Sequence, residues 1–339
     1  MNRSFVPSLL ALALVSTSLL SLAPCATAGP LDSSQVAAGA KWVMHFDCEA
    51  MRESDPGKMM RAKWLSRESA QQKLAEMSEK IGMDPSKDIV DVTLYNNDFQ
   101  RDRGVVLIEV SQIDGQKALA HLREKHPEVR MSTYEGNKLY TWKMPHPKGG
   151  QEYITSTLVD GSVIVMSSEL PKVMEAIDIL SGKLPGLSSS SPLAAAAPEG
   201  TIILMRGTDM KGAKLPGKCP VLKQAEGFSF VGGQNGDKLF ANTVVVADSE
   251  EVAGNVASVV NGFRALGALR YSGDKDMMGI IAGLKTSVEG KTVSMEWHAD
   301  AATMMKTIAK MKKKYGGKHG KRGWWKRHRH HHHKKDRDA

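Results

Sequence analysis

The chain lacks the short patterns that announce chemistry. No His-Glu-x-x-His pair, no Gly-x-Ser-x-Gly elbow and no phosphate loop occurs in its 339 residues. That argues against zinc peptidases, serine hydrolases and P-loop nucleotide enzymes. Cysteine is scarce: Cys25, Cys48 and Cys219 are all there are. Cys25 falls in an N-terminal leader, so Cys48 and Cys219 remain. In an oxidising compartment such a pair invites a disulfide between the two halves, and two buried thiols are the competing reading. Long apolar runs are missing too. Past the leader nothing approaches the ~20 apolar residues of a membrane-spanning helix, so no transmembrane segment is expected in the mature chain.

What is present is a globular composition, with 41% apolar and 24% charged residues. The length suits two domains of ~100–200 residues each. The net charge of +9 is not spread over the chain. Residues Lys312 to Ala339 carry eight Lys, four Arg and two Asp, a net of +10, so everything before them sums to −1. A basic contact surface, if there is one, is the tail.

Residues 1–28 read as a secretory leader. Arg3 gives the positive start, Leu9–Leu22 the apolar core and Ala26-Thr27-Ala28 the small residues before a cut. Leu22-Ala23-Pro24-Cys25 superficially resembles a lipoprotein box, but Pro directly before Cys departs from that pattern. Maturation between Ala28 and Gly29 and export to the periplasm or the extracellular space are expected.

Four stretches repeat one grammar of strand, cap and amphipathic helix. Ile154–Val159 and Ser162–Ser167 flank Asp160-Gly161, a pair that asks for a type I′ hairpin turn. Ser168 is the expected cap of the helix that follows, with Leu170, Val173, Met174, Ile177 and Leu180 on one face. Val105–Ser111 leads to Asp114 and Ala118, Leu119 and Leu122. Thr243–Ala247 leads to Asp248, spaced as a capping box with Glu251, and to Val252, Val256, Val259 and Val260. Thr292–His298 leads to Asp300 and Met304, Met305, Ile308 and Met311.

Lys41–Asp47 reads as a first strand, followed by a looser basic, Met-rich stretch. Ser66 opens a helix with Leu74, Met77 and Ile81 in helical spacing, and Gly82 ends it as a left-handed cap. Further hairpins are expected at Glu135-Gly136-Asn137, Gly232–Gly236 and Glu289-Gly290. Ser188–Pro198 is either a flexible linker or a short helix with Ser191 at its cap and Pro192 in its first turn. Strands that come in hairpins argue for the α+β class: two similar halves of antiparallel sheet with helices packed on one face. The expected division is a leader (1–28), a first domain (29–187), a linker or short helix (188–199), a second domain (200–315) and a disordered basic tail (316–339).

The helix ending at Ile81, then Gly82-Met83-Asp84-Pro85-Ser86-Lys87-Asp88-Ile89 and the strand Val90–Tyr95, resembles exported bacterial proteins of unassigned function. The resemblance extends over residues 40 to 311. It implies an exported, two-part, non-catalytic protein and supplies no catalytic residues.

Candidate ligating groups are few. His45 and Asp47 share one face of a strand, as do Glu296 and His298, but each pair offers two ligands where a stable site uses three or four. The doublets Met59-Met60, Met277-Met278 and Met304-Met305 could suggest copper(I), although adaptable core packing accounts for them better. Ser272-Gly273-Asp274-Lys275 matches Ser-x-x-Lys but reads as a loop and helix cap. The tail is the compositional outlier. Lys321, Arg322, Trp324, Trp325, Lys326, Arg327, Arg329, Lys334 and Lys335 suit an anionic membrane surface or envelope polymer. His328, His330, His331, His332 and His333 could take Zn, Ni or Cu. The expected function is a non-catalytic binding or structural protein whose tail contacts anionic surfaces, with metal handling through the His-rich tail as the alternative. No cofactor and no specific nucleic acid are expected.

N-terminal sequencing of the exported protein is expected to begin at Gly29. Met1 retained, or an acylated Cys25, would contradict the reading of the leader.

Overall fold

A computed structural model describes residues 30–100, 103–145, 150–211, 213 and 223–315, without side chains at 312–315. The leader, Cys219 and every tail residue named above lie outside the described residues. Among the described residues twelve strands form one sheet, and every pair in it is antiparallel. They are β1 (Trp42–Asp47), β2 (Ile89–Asn96), β3 (Val105–Val110), β4 (Arg130–Tyr134), β5 (Asn137–Pro145), β6 (Gln151–Val159), β7 (Val163–Ser167), β8 (Thr201–Gly207), β9 (Ala225–Asn235), β10 (Lys238–Ala247), β11 (Leu284–Glu289) and β12 (Thr292–Asp300). The helices are α1 (Cys48–Glu53), α2 (Asp55–Leu65), α3 (Glu68–Ile81), α4 (Gly115–Lys125), α5 (Leu170–Leu180), α6 (Glu250–Arg270), α7 (Lys275–Ala282) and α8 (Ala301–Tyr315).

The strand order is β11-β12-β10-β9-β8-β1-β2-β3-β7-β6-β5-β4. Counted outward from the β1–β8 junction, the two halves share a topology. Three consecutive strands lead to a helical crossover, and a hairpin then returns so that its second strand lies beside the third. This gives β1, β2, β3, β7, β6 on one side and β8, β9, β10, β12, β11 on the other, with β5 and β4 extending the first. The repeated grammar of the sequence is thus a repeated topology, and the halves meet by strand pairing.

Local chemistry explains the turns. Asp160 and Gly161 take φ of 49° and 74°, and Glu135 and Gly136 take 47° and 77°. Positive φ at both central positions is what a type I′ turn requires. Gly82 ends α3 at φ 70°, and the side chains of Asp114 and Asp274 cap α4 and α7. The segment before β8 forms a 3-10 helix, Pro192–Ala194, capped by Ser191. The carbonyls of Leu193, Ala195 and Ala196 accept hydrogen bonds from the Arg206 guanidinium, which is buried on β8.

The antiparallel α+β reading holds, but helices cover both faces of the first half, not one. Alternate residues of the strands enter two separate cores. Val43, Tyr95, Leu107, Leu139 and Val165 pack with Val173, Ala176 and Ile177 of α5. Ile108, Tyr140, Trp142, Ile164 and Met166 pack with Ile81 of α3 and with Ala118 and Leu122 of α4. Near-continuous apolar runs such as Val163–Met166 are what a strand covered on both sides needs. In the second half Ala253, Val256 and Ala257 of α6 close over Ala247 and Val293.

Other boundaries differ from expectation at the caps. Ser249, not Asp248, accepts from Val252 N at 3.3 Å, and α5 begins after Glu169 without a side-chain cap. The stretch after β1 is two helices, not a loose segment. Asp47 accepts from Ala50 N at 2.7 Å, and Ser54 accepts from Gly57 N at 3.1 Å with Pro56 in the first turn. These are ordinary start signals. They went unread because α2 has little apolar periodicity and leaves Met59, Met60 and Trp64 exposed.

Leu204 on β8 is 1% exposed and packs in the core that also holds Val43 of β1. Leu204→Ala is expected to lower the unfolding free energy by about 2–5 kcal/mol, read by chemical denaturation.

Candidate functional site

The most distinctive concavity is an apolar cavity of about 600 Å³ at the Trp42 end of the β1–β8 junction. Strand register builds its floor. Met205 pairs with Met44, Met44 with Leu94, Leu94 with Val106 and Val106 with Met166. Partners directly opposite in antiparallel strands point to one side, so five strands present one continuous apolar row. Trp42, Phe99, Ile154, Met210 and Phe228 add to the walls.

Two glycines shape this end. Gly207 lies between Trp42 and Phe228 in the register, and a Cβ there would sit 3.1 Å from Met210 Sδ. A Cβ on Gly104 would meet the Tyr95 carbonyl oxygen at 3.0 Å and the Trp42 ring at 3.5 Å. Both positions leave room for the indole, whose Nε1 donates to the Asp98 carbonyl at 2.7 Å. The polar lining is thin. Ser167 Oγ donates to the Gly104 carbonyl at 3.0 Å, and Gln100 and Glu152 complete the set together with Ser168 and Arg206. Such a lining can hold an apolar molecule and orient one polar end.

At the Asp47 end, on the opposite side of the sheet, a second constellation crosses three strands. Asp47 lies opposite Asp91, and Asp91 opposite Glu109. Like charges directly opposite one another in a sheet repel. Burial comes first, then the charge and the hydrogen bond of Glu109, then the charge of Asp47, and together they push Asp91 up to about 7. Asp47 is raised as well, chiefly by burial, although its cap bond to Ala50 and nearby His45 oppose the rise.

His45 is buried, with Nδ1 2.8 Å from Thr93 Oγ1, and Asp47 is a helix cap. Three strands separate β1 from β12, so the His45–Asp47 and Glu296–His298 pairs do not converge. Among the described residues no three His, Cys, Asp or Glu side chains could hold a metal ion. Cys48 is half-buried at the start of α1, and burial pushes its thiol up to about 12. Ser272–Lys275 is a loop and cap, as expected. The cavity itself was missed. Its lining is single alternate residues from distant strands, and the strand order that joins them is not local information.

The Asp91 carboxyl sets a pH dependence. Unfolded, it titrates near the ordinary ~3.9. Folded, it keeps its proton up to about 7. Across that window the native state holds the proton that the unfolded state has released, so stability falls as pH rises and levels off above the folded value. Denaturation midpoints from pH 5 to 8 should show this fall. Asp91→Asn should flatten the slope and leave the protein more stable than the parent at pH 8.

No known protein family and no curated protein matches the chain. Among solved structures it is similar to TP0453. With crystal form III of TP0453 the identity is 8% and the TM-score 0.43, over 84% of this chain and 100% of that one. With crystal form I the identity is 11% and the TM-score 0.42, over 84% and 98%.

Proposed function

We propose that the protein is an exported, non-catalytic binding protein of the cell envelope or extracellular space. It holds an apolar ligand, of the class of a fatty acyl chain, in the cavity beside Trp42. The observation that carries this reading is the five-strand row Met205, Met44, Leu94, Val106 and Met166, which floors a cavity of about 600 Å³. That volume lies within the ~300–1,000 Å³ range of small-molecule sites. Methionine at three of the five positions suits a ligand that is not rigidly defined, because unbranched thioether chains re-pack. The Ser167 hydroxyl in the cavity is engaged by the Gly104 carbonyl, which fits a role in shape better than one in attack. The basic tail, Lys321 to Lys335, contacts an anionic surface and keeps the protein where apolar ligands reside.

A fluorescent palmitate analogue tests the cavity. It should bind the full-length protein saturably, with a blue-shifted emission. Val106→Trp fills the middle of the row and should weaken binding at least ~10-fold, with Met205→Trp at the other end as a second variant. Unchanged binding by both folded variants would overturn the assignment.

A further inference from the structure

Helix α6 is apolar on two sides. Ala253, Val256 and Ala257 are buried against the sheet. Val259, Phe263, Leu266 and Leu269 point outward, with 53%, 71%, 63% and 75% of their surface exposed. Steps of four, three and three residues place them in one stripe along the C-terminal half of the helix. A helix apolar all round belongs in an interior. Single exposed apolar residues are unremarkable, but a contiguous stripe of this kind marks an interaction surface.

Charge identifies the partner. From Val252 to Arg270 the ionisable side chains are Arg264 and Arg270, both exposed, and the acidic Glu250 and Glu251 sit at the far end of the helix. Arg264 Nη1 donates to the Leu284 carbonyl at 3.2 Å, and the Arg270 guanidinium lies 5.6 Å from the Tyr271 ring centre. Helix α7 packs against α6, and α8, whose last turn begins the +10 segment, packs against α7. Lys306 and Lys310 of α8 pair with Asp276 of α7.

We propose that the outer stripe of α6 docks on an anionic lipid surface. Phe263, Leu266 and Leu269 enter the boundary between headgroups and acyl chains, and Arg270 meets lipid phosphate. This shares the anionic surface with the function proposed above, but it requires neither the tail nor the cavity.

The test is sedimentation of the full-length protein with phosphatidylglycerol or phosphatidylcholine vesicles, at low salt and at a salt concentration that screens exposed charge. The parent should prefer phosphatidylglycerol at low salt and retain measurable binding to it at high salt. F263S/L266S should lose about 10-fold or more of the high-salt binding, and Leu269→Glu should behave alike. These side chains are exposed, so the fold should tolerate the changes. Neutralising Lys326, Arg327 and Arg329 should weaken the low-salt binding alone, which separates the stripe from the tail. Unaltered palmitate-analogue binding by F263S/L266S would separate it from the cavity.

High-salt binding unchanged by the stripe variants would overturn the proposal, as would equal binding to both lipids at low salt. So would a concentration-dependent dimer, seen by light scattering, that F263S/L266S abolishes without changing vesicle binding. In that case the stripe is covered by a second copy of the chain.

Discussion

The structure rests on the pairing of β1 with β8. Five register pairs, from Trp42–Gly207 to Phe46–Ile203, join two half-sheets of the same topology into one. Without that pairing each half would present an open edge strand of alternating buried residues, the kind of edge that proteins protect or pair. With it, the free edges are β4 and β11, both short and mostly exposed. The junction also carries one core across both halves, because Val43 from one half and Leu204 from the other pack in the same cluster. Arg206 adds a second tie. Its guanidinium, whose pKa is lowered by burial, is held by three carbonyls of the connecting segment, so that segment is fixed to the strand it precedes.

The same junction creates the cavity. Antiparallel register brings Met44 and Met205 side by side, and Gly207 leaves room next to Trp42. At the other end of β1 the register instead brings Asp47, Asp91 and Glu109 together, and the fold accepts them by leaving a proton on Asp91. One sheet thus has an apolar end that borders a cavity and an acidic end where carboxylates face one another. Helix α6 adds a third feature, an apolar side that the sheet does not use.

Local signals were largely legible. Asp160-Gly161 and Glu135-Gly136 specified hairpins because their φ requirements are met within two residues. Gly82, Asp114, Ser191 and Asp274 marked helix ends because a cap bond reaches only two to four residues along the chain. Where two candidate caps stood side by side, as at Asp248 and Ser249, local chemistry did not choose between them. The helices α1 and α2 were illegible for a different reason: their start signals are present, but α1 is short and most residues of α2 face water, so the apolar pattern that reveals a helix is weak.

By itself the sequence determined the strands, most of the helices, the hairpin turns, the α+β class and the likeness of the two halves. All of these follow from dihedral preferences, capping bonds and apolar spacing within about ten residues. Tertiary structure alone decided that helices cover both faces of the first half and that the halves join through β1 and β8. It also decided that Met205, Met44, Leu94, Val106 and Met166 line up as a floor, and that Asp91 lies between two other carboxylates. Those facts depend on which strand pairs with which, and in what register. Pairing residues as far apart as Met44 and Met205 is a choice the packing of the whole chain makes, because no local preference distinguishes one apolar strand partner from another.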